Sequence, residues 1–163
     1  MVDDREPVKG GLGGVRRVSP VEAKSLLDLG YAYVDVRSVE EFHDLHPLGA
    51  MNVPVQASRS SDAPPSKNTF LAAMARLFAK EAKIVIGCAT GVRSLRAAEL
   101  LLGAGFTDVV DQRAGMEGRR GAFGDLVEAG WAEVGLPVAS GPDAGSFDAL
   151  LAQGEAEADR ARS

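Results

Sequence analysis

A single cysteine among 163 residues stands in the stretch GCATGVRS, residues 87–94, where an apolar run meets a turn rich in Gly and Arg. These are the residue types of nucleophilic catalysis. A thiolate attacks where a thiol does not, and an unperturbed thiol titrates near ~8.5, so Cys88 needs surroundings that favour its anion. The loop amides of Ala89, Thr90, Gly91, Val92, Arg93 and Ser94 are expected to turn toward the sulfur, with the positive end of the following helix and the Arg93 guanidinium adding to the field. Gly91 lets the backbone curl where a Cβ would clash. The competing reading is a packed small hydrophobe, since free Cys is among the most buried residue types. Its position decides for the nucleophile, because open α/β sheets take their ligands at the carboxyl ends of strands. A metal centre is not expected: His43 and His46 lie far from Cys88 in the chain, and one cysteine with two histidines offers few soft ligands.

Those groups must be carried by regular elements. KIVIGC, 83–88, is a continuous apolar strand of the length found in parallel sheets, and VRSLRAAELLLGAG after it is an amphipathic helix with Leu95, Ala98, Leu101 and Leu102 on one face, stopped by Gly103 or Gly105. Upstream, VRRVSPVEAKSLLDLG reads as a strand entering a helix, with Ser19 as N-cap, Pro20 in the first position, Glu22 closing a capping box and Gly30 as the stop. The apolar face of that helix is Val21, Leu26, Leu27 and Leu29. YAYVDV, 31–36, is a strand apolar on both parities that runs into Asp35 and Arg37. SVEEF makes a helical turn, AMNVP a brief strand, QASRSSDAPPSKN a polar loop, TFLAAMARLFAKEA a helix and TDVVD a buried strand. Beyond residue 112, RAGMEGRRGAFGDLVEAGWAEVGLPV reads as helix broken by glycine-rich loops, anchored to the core by Trp131. This alternation predicts an α/β domain over 15–139 with a mostly parallel sheet covered on both faces. Residues 1–14 are expected to form a flexible arm, and 140–163 an acidic Ala/Gly-rich tail, partly helical through FDALLAQ or disordered.

Composition narrows the function. The net charge of −5 argues against a nucleic-acid surface, which needs clustered Lys and Arg. One cysteine excludes an intramolecular disulfide, as suits a reducing compartment, and the N-terminus carries acids where a signal peptide would carry bases, so a cytoplasmic protein is expected. The apolar runs fall short of the ~20 residues of a membrane helix, and no membrane partner is expected.

CATGVRS resembles the active-site loop of single-domain rhodanese-type sulfurtransferases, C-x-x-G-x-R-S. DVRSVEEF, 35–42, and HPLGAMNVP, 46–54, are similar to that family's D-V-R-x-x-x-E-F and H-I-P-G-A-x-N-I-P segments, and GLPV, 135–138, to the close of its domain. The resemblance spans about residues 15–138. It implies a three-layer α/β/α domain with a mostly parallel five-stranded sheet. It implies that Cys88 takes sulfane sulfur from thiosulfate or another persulfide or polysulfide donor as a cysteine persulfide and passes it to cyanide, a small thiol or a protein thiol. Asp35 and Arg37 would support the loop, no cofactor is implied, and the protein would act as a monomer or homodimer. Four residues separate Cys88 from Arg93, whereas cell-cycle phosphatases of the same fold have a loop one residue longer, which accommodates phosphate. The alternatives are a non-catalytic rhodanese-fold module for protein binding or sulfide sensing, and a phosphatase or arsenate reductase. Ala89 and Thr90 are neutral and Glu41 acidic where two-domain thiosulfate enzymes carry basic residues, while Arg113, Arg119 and Arg120 are candidates for a basic rim or a solvated loop.

Overall fold

The computed structural model describes residues 14–55 and 67–153. The expected N-terminal arm, apart from Gly14, most of the polar loop before the third helix, and the last ten residues lie outside the described residues.

Continuous apolar runs bury both faces of a strand, and here they build a five-stranded parallel sheet. Its strands are β1 (Arg16–Val18), β2 (Ala32–Asp35), β4 (Met51–Asn52), β5 (Lys83–Gly87) and β6 (Asp108–Gln112), in the order β1-β6-β5-β2-β4. Alternation along each strand then divides the core in two. Val34, Ile84, Ile86 and Val109 face one side, with α3 (Lys67–Leu77) and α4 (Val92–Gly103). Tyr33, Val85 and Val110 face the other, with α1 (Pro20–Asp28), α2 (Val39–Asp44) and Trp131. The result is the expected α/β/α layering. After β2 the chain moves outward to β4, and after β5 it moves the other way to β6, so the crevice between the ends of β2 and β5 is a topological switch point. Asp35 pairs with Gly87 in the register, which brings the end of β2 beside Cys88.

The predicted capping box of α1 forms, and a second one, not anticipated, opens α2. Ser19 and Glu22 exchange side-chain to backbone bonds at the head of α1, as do Ser38 and Glu41 at the head of α2. The α1 face is shifted from the one expected. Ala23 and Leu26 are buried, whereas Val21 and Leu29 stand mostly in solvent, because the helix is covered only by the sheet on one side. Helix α3 ends at Leu77 instead of running through Ala82; residues 79–82 are needed as a turn, closed by Ala82 N–H to the Ala79 carbonyl, that returns the chain into β5.

The largest correction lies after β6. Where broken helix was expected, β7 (Arg119–Arg120) and β8 (Leu126–Glu128) form an antiparallel hairpin. A Cβ on Gly118 would sit 2.6 Å from the Glu128 carbonyl oxygen, so the glycines that interrupt the helical period instead permit two strands to approach. Trp131 is buried as predicted, edge-on to Tyr33, with its indole N–H donating to the Pro137 carbonyl. Beyond it, β9 (Val138–Ala139) pairs antiparallel with β3 (His46–Pro47). FDALLAQ, 147–153, is helical, and Leu150 enters the core on the α3/α4 side.

Candidate functional site

Cys88 is the first residue past β5, and α4 begins four residues later. Gly91 makes the connection possible with φ +93°. A side chain there would also collide with the Arg113 carbonyl oxygen, 2.1 Å from the Cβ position. The turn aims two amides at the sulfur: Gly91 N lies 3.1 Å and Ser94 N 3.3 Å from Cys88 Sγ. The Ser94 hydroxyl is the third contact, 3.3 Å from Sγ. Backbone donors plus a helix N-terminus form a cradle for negative charge on sulfur. Cys88 is 1% exposed and Ser94 and Gly91 are buried, so these dipoles act in a water-poor setting, where they are strongest. Within the cradle Gly91 and Ser94 point at the sulfur. Ala89 is buried with its carbonyl accepting from Glu117 N–H, whereas Thr90 and Val92 project to solvent.

Arg93 is not the free cation of the sequence reading. It makes a two-pronged bond to Glu41, Nη1 to Oε1 at 2.7 Å and Nη2 to Oε2 at 2.9 Å. That contact holds the Glu41 carboxyl down at about 2 and raises the guanidinium in turn. Arg93 is the second residue of α4 and meets Glu41 of α2, so its charge joins the two helices. Asp35 and Arg37, expected to support the loop, form an ion pair, with Arg37 Nη2 2.7 Å from Asp35 Oδ2 and both side chains buried. Burial opposes the Arg37 charge, yet the Asp35 carboxylate outweighs it and the guanidinium pKa is raised. Arg37 also donates to the Leu45 carbonyl, and Asn52 donates to the Asp35 and Arg37 carbonyls, which fixes the strand end next to Cys88.

Three residues under the loop escaped the sequence reading. Arg17 donates to Asp111 Oδ2 at 2.6 Å and to the Gly91 carbonyl at 2.9 Å, tying β1 and β6 to the loop. Gln112 accepts from the amides of Ala114 and Gly115 and shapes the turn whose next amides, Met116 and Glu117, donate to the carbonyls of Cys88 and Ala89. A signal was present: Asp111 and Gln112 are polar residues directly following the buried Val109–Val110 pair of β6, and a buried charge there requires a partner. The basic-rim candidates are largely paired, since Arg113 and Arg119 both reach Glu128. Arg120 instead lines a cleft of about 440 Å³ with Arg37, Glu41, Asp44, Met116, Glu117 and Glu133. Among the described residues, no group of three His, Cys, Asp or Glu side chains is arranged to hold a metal ion, and no helix is long and apolar enough to cross a membrane.

The rhodanese-like domain family model matches residues 19–121. Thiosulfate sulfurtransferase 16, chloroplastic, from Arabidopsis thaliana is 39% identical over 121 residues, covering 74% of this chain and 89% of that protein. Senescence-associated protein DIN1 from Raphanus sativus is 41% identical over 93 residues, covering 57% of this chain and 50% of that protein, so the match spans half its length. In structure, the chain is similar to Rv0390 from M. tuberculosis, with a TM-score of 0.63 at 27% identity over 77% of this chain and 97% of that one.

Proposed function

Because the chain belongs to the rhodanese-like domain family, we propose that it is a sulfurtransferase working through a persulfide on Cys88. The Cys88 thiolate attacks the outer sulfur of a donor such as thiosulfate or a polysulfide; the donor's S–S bond breaks, and sulfite or a shortened polysulfide leaves with the electron pair. A nucleophilic acceptor, cyanide or a thiol, then takes the outer sulfur and returns the thiolate. The observation that carries this reading is the cradle: Gly91 and Ser94 amides at 3.1 and 3.3 Å from Sγ support negative charge on the sulfur before attack and on the persulfide after it. No other cysteine is present, so the discharging thiol comes from another molecule.

A second reading has an observation of its own. The near-complete burial of Cys88 and the commitment of Arg93 to Glu41 favour a binding module that keeps the fold without turnover. Intact mass after incubation with thiosulfate or polysulfide separates the two. The expected result is a gain of one sulfur in the wild type and none in Cys88→Ser, with cyanolysis lost in the same variant. No gain of sulfur from any donor supports the binding module, and Cys88-dependent hydrolysis of an aryl phosphate would instead support a phosphatase.

A further inference from the structure

The cleft of about 440 Å³ beside Arg120 is bounded by two segments that are both bonded to the Cys88 region. In one of them Glu41 is paired with Arg93, and in the other the amides of Met116 and Glu117 donate to the Cys88 and Ala89 carbonyls. A space of this size accepts a small molecule or the side chains of a peptide.

Its charges do not balance. The lining sets Arg37 and Arg120 against Glu41, Asp44, Glu117 and Glu133. The Arg37 charge is matched by Asp35 and that of Glu41 by Arg93, each through a close ion pair. Asp44, Glu117, Glu133 and Arg120 are exposed, and among the described residues none of their side chains is engaged in an ion pair or hydrogen bond. Three unengaged carboxylates therefore stand against one guanidinium. An anion gains Arg93 or Arg37 only by breaking a bond to Glu41 or Asp35. A cleft with a surplus of one sign concentrates the opposite charge and repels its own.

We propose that this cleft is the approach to Cys88, and that Asp44, Glu117 and Glu133 make it selective for a sulfur acceptor with positive charge beside its thiol: an aminothiol or a lysine-flanked cysteine. The acceptor thiolate attacks the outer sulfur of the Cys88 persulfide. The S–S bond breaks, Cys88 leaves as the thiolate, and the acceptor departs as a persulfide with its positive charge intact. Anionic donors such as thiosulfate are slowed by the same field. The nature of the acceptor rests on the sulfurtransferase reading; the charge selectivity of the cleft does not.

Aminoethyl and sulfonatoethyl methanethiosulfonate are thiol reagents of similar size and opposite charge. At low ionic strength the cationic one should modify Cys88 faster, by at least about fivefold over the same ratio for mercaptoethanol, and salt of about 1 M should abolish the excess. Removing two carboxylates together, Glu117→Gln with Glu133→Gln, should cut the excess at least about twofold. Glu99→Gln, in the groove between α3 and α4, should leave it unchanged. An excess absent at low salt, one indifferent to the double substitution, or a Cys88 that neither reagent reaches overturns the proposal. Protein loaded with one sulfur then identifies the acceptor. Discharge by cysteamine and by a peptide with a lysine-flanked cysteine should be faster at low salt than at high salt, and discharge by mercaptoethanesulfonate slower. The larger gain of the two assigns a small aminothiol or a protein cysteine as the acceptor, and the opposite salt order overturns the proposal. Failure to take up sulfur, with the reagent preference intact, overturns the sulfurtransferase reading and not the selectivity of the cleft.

Discussion

Gly91 holds the sulfur's surroundings together more than any charged side chain. Its φ of +93° turns the loop, its amide touches the sulfur, and its carbonyl is held by Arg17. A residue with a Cβ would face strain of about 1–3 kcal/mol from the backbone conformation alone. The carbonyl of Arg113, 2.1 Å from the Cβ position, adds a clash that cannot be relieved by moving a flexible side chain. Gly91→Ala is therefore expected to lower the urea midpoint by more than that strain implies, at an unchanged denaturant slope, and to speed alkylation of Cys88 as the loop opens. An unchanged midpoint would show that the loop tolerates a different turn. Gly91 was legible as a turn residue from sequence, but the reason no other residue serves is a backbone from a separate segment.

At the scale of elements, the Glu41–Arg93 bridge joins α2 to α4 across the cleft. The Glu41 carboxyl is held at about 2, below its ordinary 4.5, by Arg93 first, with burial opposing and Ser38 assisting. A depressed carboxyl stabilises the fold above its ordinary value, and that stabilisation is lost as pH falls from about 4.5 to 2. Glu41 is 35% exposed, so after solvent screening the pair contributes about 1 kcal/mol or less. Glu41→Gln should lower stability at pH 7 by that amount and leave it nearly equal to wild type near pH 2, measured as urea midpoints at both pH values. A constant difference across this range would mean that the loss is one of packing. The same element explains a corrected expectation: periodicity located α4 and thus Arg93, but only the placement of α2 showed which group the guanidinium meets.

For the whole molecule, the described part of the C-terminal segment is built into the fold. Asp143 lies 2.7 Å from the buried His46 ring, the Gly145 carbonyl accepts from Asn52 N–H, and Leu150 packs into the α3/α4 core at 5% exposure. Asn52 also supports the Asp35–Arg37 turn, so this segment braces the sheet edge behind the site. Leu150→Ala should cost about 2–5 kcal/mol in denaturant unfolding, the range for a buried leucine. A loss below ~0.5 kcal/mol would show that the segment packs only loosely, as at an ordinary surface position.

What the sequence determined by itself follows from short-range rules. Apolar runs made buried parallel strands, Ser-x-x-Glu made capping boxes, and Gly91 beside Cys88 made a turn opening a helix, because each depends on neighbours within a few residues. Tertiary structure decided what requires distant chain to meet. It paired Arg93 with Glu41, turned the glycine-rich stretch into a hairpin closed on Glu128, and set Asp111 and Arg17 beneath the cysteine. Side-chain charge has no direction in a sequence; it acquires one only when the sheet order puts β1, β6 and β5 side by side.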